Sequence, residues 1–264
     1  MADLHDRLQT ALRSAQLGSQ AAGTEFRTEL EVETKANKND LVSNADRAAQ
    51  RAILNYITTE FPDDTIVAEE NDQDSSIAGS EPIWVVDPID GTTNFVRGLP
   101  LWSTTVAVVH NGEPIAGVTV LPAISDEYVA TPTDTYRNEE PITVTNTDDT
   151  DQFLVGILGS GSTDDVAGYA SLSRVCIEEF GDIRRFGCTT AALAFVSSGV
   201  LDAAITGTRK SPWDVIAGAH MIRCAGGTVT TLDGKPWEVT DPMLVASNGE
   251  AHATVLEKAQ QVLG

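Results

Sequence analysis

The sequence predicts a mixed α/β protein in which helices are layered on sheets, and three observations carry that prediction. Two N-terminal stretches space their apolar residues with a helical period. Apolar segments joined by a hairpin signal fill residues 101–130. Beyond residue 151, short apolar strands alternate with helix-period segments.

Taken in order, residues 3–30 carry Leu4, Leu8, Leu12, Ala15, Ala22 and Phe26 on one face and predict a long first helix. Residues 45–60 repeat the pattern with Ala48, Ala49, Ala52, Ile53 and Tyr56, and Ser43 and Asn44 are candidate caps. Thr65-Ile66-Val67-Ala68 reads as a short strand ending at Glu69-Glu70, and residues 71–81 read as polar loop. Ile83-Trp84-Val85-Val86 reads as a buried strand. Trp102–Val109 turns at Asn111-Gly112, and strands Ile115–Val120 and Glu127–Ala130 follow. Residues 131–151 are acidic and Thr-rich and read as a junction between lobes. After it, strands are expected near 153–157, 202–206 and 243–247, with helices near 164–179, 189–199, 214–225 and 249–263. The expected organisation is one catalytic domain over 1–264, with lobes of about 1–147 and 148–264.

The most informative stretch is Asp87-Pro88-Ile89-Asp90-Gly91-Thr92-Thr93-Asn94-Phe95. It puts two carboxylates three residues apart directly after a buried strand. Such oxygen ligands suit a hard cation such as Mg²⁺, which binds through a few carboxylates, waters and substrate phosphates. The Gly-Thr-Thr turn offers backbone N–H groups to a phosphate. Glu69, at the end of one strand, and Asp214, in Pro212-Trp213-Asp214-Val215-Ile216-Ala217-Gly218-Ala219, could join them. Each acid has a plainer reading: Asp214 as a helix N-cap, Asp90 as a turn residue, Glu69-Glu70 as a solvated loop edge. The set favours a site, because strand-end loops are where α/β folds place them.

The chain also resembles the inositol monophosphatase family, part of a larger group of lithium-sensitive, Mg²⁺-dependent sugar-phosphate phosphatases. The resemblance rests on residues 84–95 and on Trp213–Ala219 with Ala225-Gly226-Gly227 following. Asp40–Asp46 and Ala68-Glu69-Glu70 support it, and order and spacing agree over most of residues 30–247. The resemblance implies a layered αβαβα sandwich and two to three Mg²⁺ ions. Glu69, Asp87 and the Ile89 carbonyl would hold the first ion, Asp87, Asp90 and Asp214 the second, and a third would lie near Glu69. Gly91 and Thr92 N–H groups would bind the phosphate, while Asp46 and Thr92 would align the attacking water. Lys35 matches a lysine near the phosphate; by itself it reads as a surface residue. Ser160, Gly187, Cys188 and Thr189 fall in segments that line the substrate pocket.

Two departures from the family pattern bear on substrate. The family usually has Gly-Ser/Thr-Ala-Ala where this chain has Gly187-Cys188-Thr189-Thr190. Inositol-specific members carry a Glu shortly before Trp-Asp, whereas Ala204–Ser211 is one residue longer and holds no acid. Arg209-Lys210 could attract a second phosphate, as in fructose 1,6-bisphosphate, or could be a solvated loop. The expected activity is hydrolysis of inositol 1-phosphate or fructose 1,6-bisphosphate, with no covalent intermediate. A 3′-phosphoadenosine 5′-phosphate phosphatase is the less favoured alternative, because that branch usually has Lys-Gly where Thr93-Asn94 stand. A catalytically silent metal- or phosphate-binding regulator is the reading from another class.

Composition bounds the partners. The 264 residues include 39 acidic and 17 basic side chains, for a net charge of −22, and only five lysines. That balance argues against nucleic acid and anionic membranes and leaves a small phosphate ester as the partner. Low lysine with a dense acidic surface reads as a halophile's protein, or as an ordinary acidic enzyme. Three cysteines without paired spacing, no basic-then-apolar leader and no apolar run of membrane length point to the cytoplasm. The resemblance implies a homodimer.

Overall fold

The computed structural model describes residues 2–34, 41–70, 77, 79–159 and 166–264. Helix α1 (Ala2–Glu25) opens the chain, strands β1 (Val32–Thr34) and β2 (Leu41–Ser43) form a small antiparallel pair, and α2 (Asn44–Glu60) follows. Ser43 caps α2, its side chain accepting from the Ala45 N–H. Strands β3 (Thr65–Ala68) and β4 (Ile83–Asp90) are parallel neighbours. The five-residue helix α3 (Thr92–Val96) leads to β5 (Ser103–His110), β6 (Glu113–Leu121), β7 (Asp126–Ala130), β8 (Thr135–Arg137) and β9 (Glu140–Ile142). β3 to β9 form a seven-stranded sheet in sequence order, antiparallel from β4 onward.

The second half supplies β10 (Leu154–Leu158), α4 (Val166–Glu179), β11 (Asp182–Arg184), α5 (Thr189–Ser197), β12 (Ala203–Thr206), α6 (Pro212–Cys224), β13 (Thr228–Thr230), β14 (Val245–Ser247) and α7 (His252–Leu263). Its five-stranded sheet has the order β11-β10-β12-β14-β13, with β10 parallel to both β11 and β12.

Alternation along the strands decides the layering. On β4, Trp84 and Val86 face one side with Val106, Val108 and Val118, where Ala11 and Ala15 of α1 and Ile53 and Ile57 of α2 cover them. Val85 faces the other side with Ala107 and Val109, against the buried α5 and α6. Leu158, Ala204 and Ala246 of the second sheet close that same core from below. The outer face of the second sheet, with Val155, Ile157, Ala203 and Ile205, is covered by Leu172 and Cys176 of α4 and Val255 and Ala259 of α7. The layers therefore run helix, sheet, helix, sheet, helix. α5 and α6 touch closely at Gly218, where a Cβ would come within 2.4 Å of Leu193 Cβ.

One expectation is corrected. Residues 131–151 are not merely a junction, because the β8–β9 hairpin within them extends the seven-stranded sheet. Its turn uses Asn138 and Glu139, both at positive φ (51° and 69°), without the glycine that marks such turns.

Candidate active site

The site begins with a fault in β4. Residues three apart on a regular strand point to opposite faces, so Asp87 and Asp90 should not meet. The register shifts between them: Asp87 pairs with Thr105, but Asp90 pairs with Ser103, so one extra residue is inserted. Such a bulge restores the parity and turns both carboxylates to the same side. Pro88, which cannot donate to the ladder, sits in the bulge, and its carbonyl accepts the Thr104 hydroxyl at 2.8 Å.

Gly91 follows at φ +84°, in the left-handed region, and a Cβ there would stand 3.1 Å from both the Gly187 and Leu101 carbonyls. Only glycine makes this turn without strain. The helix it opens is anchored by aromatic packing, with Phe95 edge-on to Trp102 at 4.8 Å and Phe26 at 5.5 Å from each ring. The Asn94 amide nitrogen donates to the carbonyls of Leu101 (2.6 Å) and Phe186 (2.7 Å), tying α3 to the second half of the chain.

Asp46 lies buried in the first turn of α2. Its Oδ2 accepts from the Ser43 N–H at 2.8 Å and the Ser43 hydroxyl at 2.6 Å. Its Oδ1 accepts from the Thr92 hydroxyl at 3.3 Å, and that hydroxyl also lies 3.1 Å from the Ile89 carbonyl. One face of the carboxylate is pinned by its own helix cap while the other meets Thr92, so the side chain has little freedom to turn.

Asp214 is placed by the same device, and here the structure corrects the N-cap reading. Ser211 is the N-cap, Pro212 takes the first helical position, and Asp214 is the third, its Oδ2 accepting from the Ser211 N–H at 3.2 Å. Asp90 is held from α5: its Oδ2 accepts from the Thr190 N–H at 2.6 Å, the Thr190 hydroxyl at 2.8 Å and the Cys188 thiol at 3.2 Å.

These elements bring one oxygen each of Asp87, Asp90 and Asp214 within 4.8 Å of one another. Burial pushes the Asp87 carboxyl well above its ordinary range, and Glu69, Asp90 and Asp214 push it further, Glu69 also through a shared hydrogen bond. Burial likewise raises Asp214 to about 6, with Lys210 opposing the shift and Asp90 adding to it. Asp87 Oδ1 is buried with no hydrogen-bond partner among the described residues. Converging carboxylates that repel one another, with an orphaned oxygen among them, fit a bound divalent cation. Burial first, and then Asp90, push the Cys188 thiol well above its ordinary range.

Glu69 sits beside Asp87, its N–H bonded to the Val86 carbonyl at 3.1 Å. Gly187 adopts φ +70° next to Asn94, and Cys188 and Thr189 are buried at the start of α5. Lys35 and Ser160 lie outside the described residues. Three contacts are not among those expected from the sequence: Thr190 on Asp90, Ser211 as the cap before Asp214, and Lys210 beside Asp214. Ser211-Pro212-Trp213-Asp214 is a readable capping pattern, whereas nothing local links Thr190 to an acid 100 residues away.

Known proteins resemble this chain over nearly its whole length. The model of the inositol monophosphatase family matches residues 3–263. The chain is 34% identical to the fructose-1,6-bisphosphatase/inositol-1-monophosphatase of Thermotoga maritima, over 88% of this chain and 87% of the relative. It is 31% identical to the protein of that description from Aquifex aeolicus, over 100% and 98%. The solved inositol monophosphatase from Thermotoga maritima superposes with a TM-score of 0.85 at 32% identity, covering 100% of this chain and 98% of that one. No helix among the described residues is long and apolar enough to cross a membrane. The chain belongs to the inositol monophosphatase family and is a hydrolase of phosphoric monoesters.

Proposed function

We propose that the chain is a Mg²⁺-dependent phosphatase of sugar or polyol phosphates, inositol 1-phosphate and fructose 1,6-bisphosphate among them, acting by direct attack of water. The observation that carries this reading is the meeting of Asp87, Asp90 and Asp214 within 4.8 Å, directly before the Gly91 turn. Two relatives whose names join the two activities support the choice of substrates.

Asp87, Asp90 and Asp214, with Glu69 and the Ile89 carbonyl, would hold two to three ions. Bound there, Mg²⁺ would lower the pKa of a water and neutralise charge on the phosphoryl group. The protein's own part is orientation. Gly91 and Thr92 N–H groups hold phosphate oxygens. Asp46, fixed by Ser43, sets the Thr92 hydroxyl, whose oxygen accepts a hydrogen bond from the attacking water. Gly187, Cys188 and Thr189 border the alcohol part of the ester, and Lys35 and Ser160 belong to the same reading.

The supporting organisation is a single catalytic unit whose first lobe, about 1–147, carries the phosphate turn, while the second, about 148–264, brings Asp214. The partner is a small phosphate ester rather than nucleic acid, given the charge of −22. We read the chain as a cytoplasmic homodimer. The test is turnover of myo-inositol 1-phosphate, fructose 1,6-bisphosphate and 3′-phosphoadenosine 5′-phosphate at saturating Mg²⁺. Release from either of the first two supports the reading, and preference for the third overturns it.

A further inference from the structure

Asp90 is held by a buried polar network that extends past the three donors on its Oδ2. Ser103, the first residue of β5, is its partner across the β4–β5 ladder. The Ser103 hydroxyl meets the Thr190 hydroxyl and stands 3.4 Å from Cys188 Sγ. Ser103, Cys188 and Thr190 are all buried. Proton counting fixes the direction of the bonds. A carboxylate only accepts, and each hydroxyl or thiol has one proton. Thr190 Oγ1 and Cys188 Sγ point theirs at Asp90 Oδ2, at 2.8 Å and 3.2 Å. Ser103 is therefore the donor to Thr190 Oγ1, and the Thr190 N–H, at 2.6 Å, completes the set on Oδ2.

The sequence holds a matching departure. Thr190 stands where the family usually has alanine, and Cys188 where it usually has serine or threonine. The strong hydroxyl donor thus sits two positions further along, where Ser103 backs it. Three donors on one oxygen also have a consequence for a cation. A carboxylate has about four lone-pair sites, shared equally by its two oxygens. Oδ2 is therefore taken up by its donors, and Asp90 offers an ion only Oδ1. Mg²⁺ demands a near-ideal octahedron, which a carboxylate bound through both oxygens distorts. Ca²⁺ takes more oxygens in a looser shell and accepts a carboxylate through one or both.

We propose that Ser103 and Thr190 are positioning residues that select the cation: their relayed hydroxyls close Asp90 Oδ2, keep Asp90 a one-oxygen ligand and favour Mg²⁺ over Ca²⁺. The inference rests on the metal reading of Asp87, Asp90 and Asp214 and deepens it. Without the Thr190 hydroxyl, a lone-pair site on Oδ2 opens to the larger ion. Without Ser103, the Thr190 hydroxyl loses the donor that polarises it, a smaller effect of the same sign.

The test is calorimetric titration of metal-stripped protein with Mg²⁺ and with Ca²⁺, without substrate, for wild type, Thr190→Val, Thr190→Ser and Ser103→Ala. The Mg²⁺-to-Ca²⁺ affinity ratio should fall about tenfold in Thr190→Val, as loss of one charged hydrogen bond implies, and about threefold in Ser103→Ala. Thr190→Ser keeps the hydroxyl and should stay near wild type. A merely structural loss would weaken both ions together. That outcome, or an unchanged ratio in Thr190→Val and Ser103→Ala, would overturn the proposal and leave the metal reading standing. Ser103→Ala decides the matter if Thr190→Val does not fold. Wild-type protein that binds neither ion would overturn the metal reading itself, and the proposal with it.

Discussion

Thr190 grips Asp90 twice, with its backbone N–H at 2.6 Å and its hydroxyl at 2.8 Å, and both donors meet the same oxygen, Oδ2. The two residues lie 100 positions apart, so the second half of the chain aims an acid supplied by the first. The pattern repeats: Asp46 is pinned by Ser43 and Asp214 by Ser211, each through one oxygen. Preorganised carboxylates lose little freedom when they bind a cation.

Asp90→Asn removes the charge and keeps the shape. Activity should fall by about 10²–10³-fold, as electrostatic groups of this kind usually cost when removed. Thr190→Val keeps the backbone N–H and removes only the hydroxyl, so it should cost about tenfold at limiting Mg²⁺ and less at saturation. Steady-state rates over a Mg²⁺ series check both. Asp90→Asn within a few-fold of wild type would remove Asp90 from the site.

Thr92→Ala should lower kcat far more than it raises KM. In the proposed mechanism the hydroxyl, held by Asp46, orients water, while the backbone N–H groups proposed to hold phosphate survive the substitution. A variant with normal kcat and weakened substrate binding would contradict this role.

Much of this was legible in the chain, for physical reasons that also explain what was not. The β4 motif could be read because a buried apolar strand ends in acids and a glycine turn, all local features. The layers followed from period, and α2, α5 and α6 fall within a few residues of their expected bounds. The first helix stops at Glu25, short of residue 30. β11, three residues with no buried side chain, shows no apolar alternation to find. The bulge that turns Asp87 and Asp90 to one side depends on pairing with β5, and Thr190 acts on Asp90 only after both sheets have packed on α5.

Stability should also depend on pH through His220. It is buried in α6 beside Cys224 Sγ (3.6 Å), and burial lowers its pKa to about 4, the Thr131 carbonyl opposing and Arg223 adding. The folded state prefers the neutral ring, so this contribution is complete above pH 6.5 and is lost as pH falls toward 4. It amounts to about 3 kcal/mol at most. Denaturant unfolding of wild type and His220→Phe from pH 7 to pH 4 isolates it from other groups by difference. Parallel curves for the two proteins would contradict the buried neutral histidine.

Melting temperature should rise steeply from low salt to molar KCl. Exposed pairs such as Arg47–Glu33 and Arg174–Glu178 weaken under screening, but each is worth little. Repulsion among 39 acids against 17 bases is the larger effect, and molar salt screens it to within about 3 Å. Thermal unfolding across a KCl series checks this, and a flat melting temperature would mean that the acidic surface is not a salt adaptation.

If the converging Asp87, Asp90 and Asp214 hold the divalent ions that activity needs, the chain should be inert without metal. The most direct measurement is phosphate release from myo-inositol 1-phosphate and fructose 1,6-bisphosphate by metal-stripped protein as Mg²⁺ is added back. No release is expected without metal, and a saturable rise is expected with Mg²⁺, abolished again by chelator. Release that is indifferent to Mg²⁺, or none on either ester at saturating Mg²⁺, would contradict it.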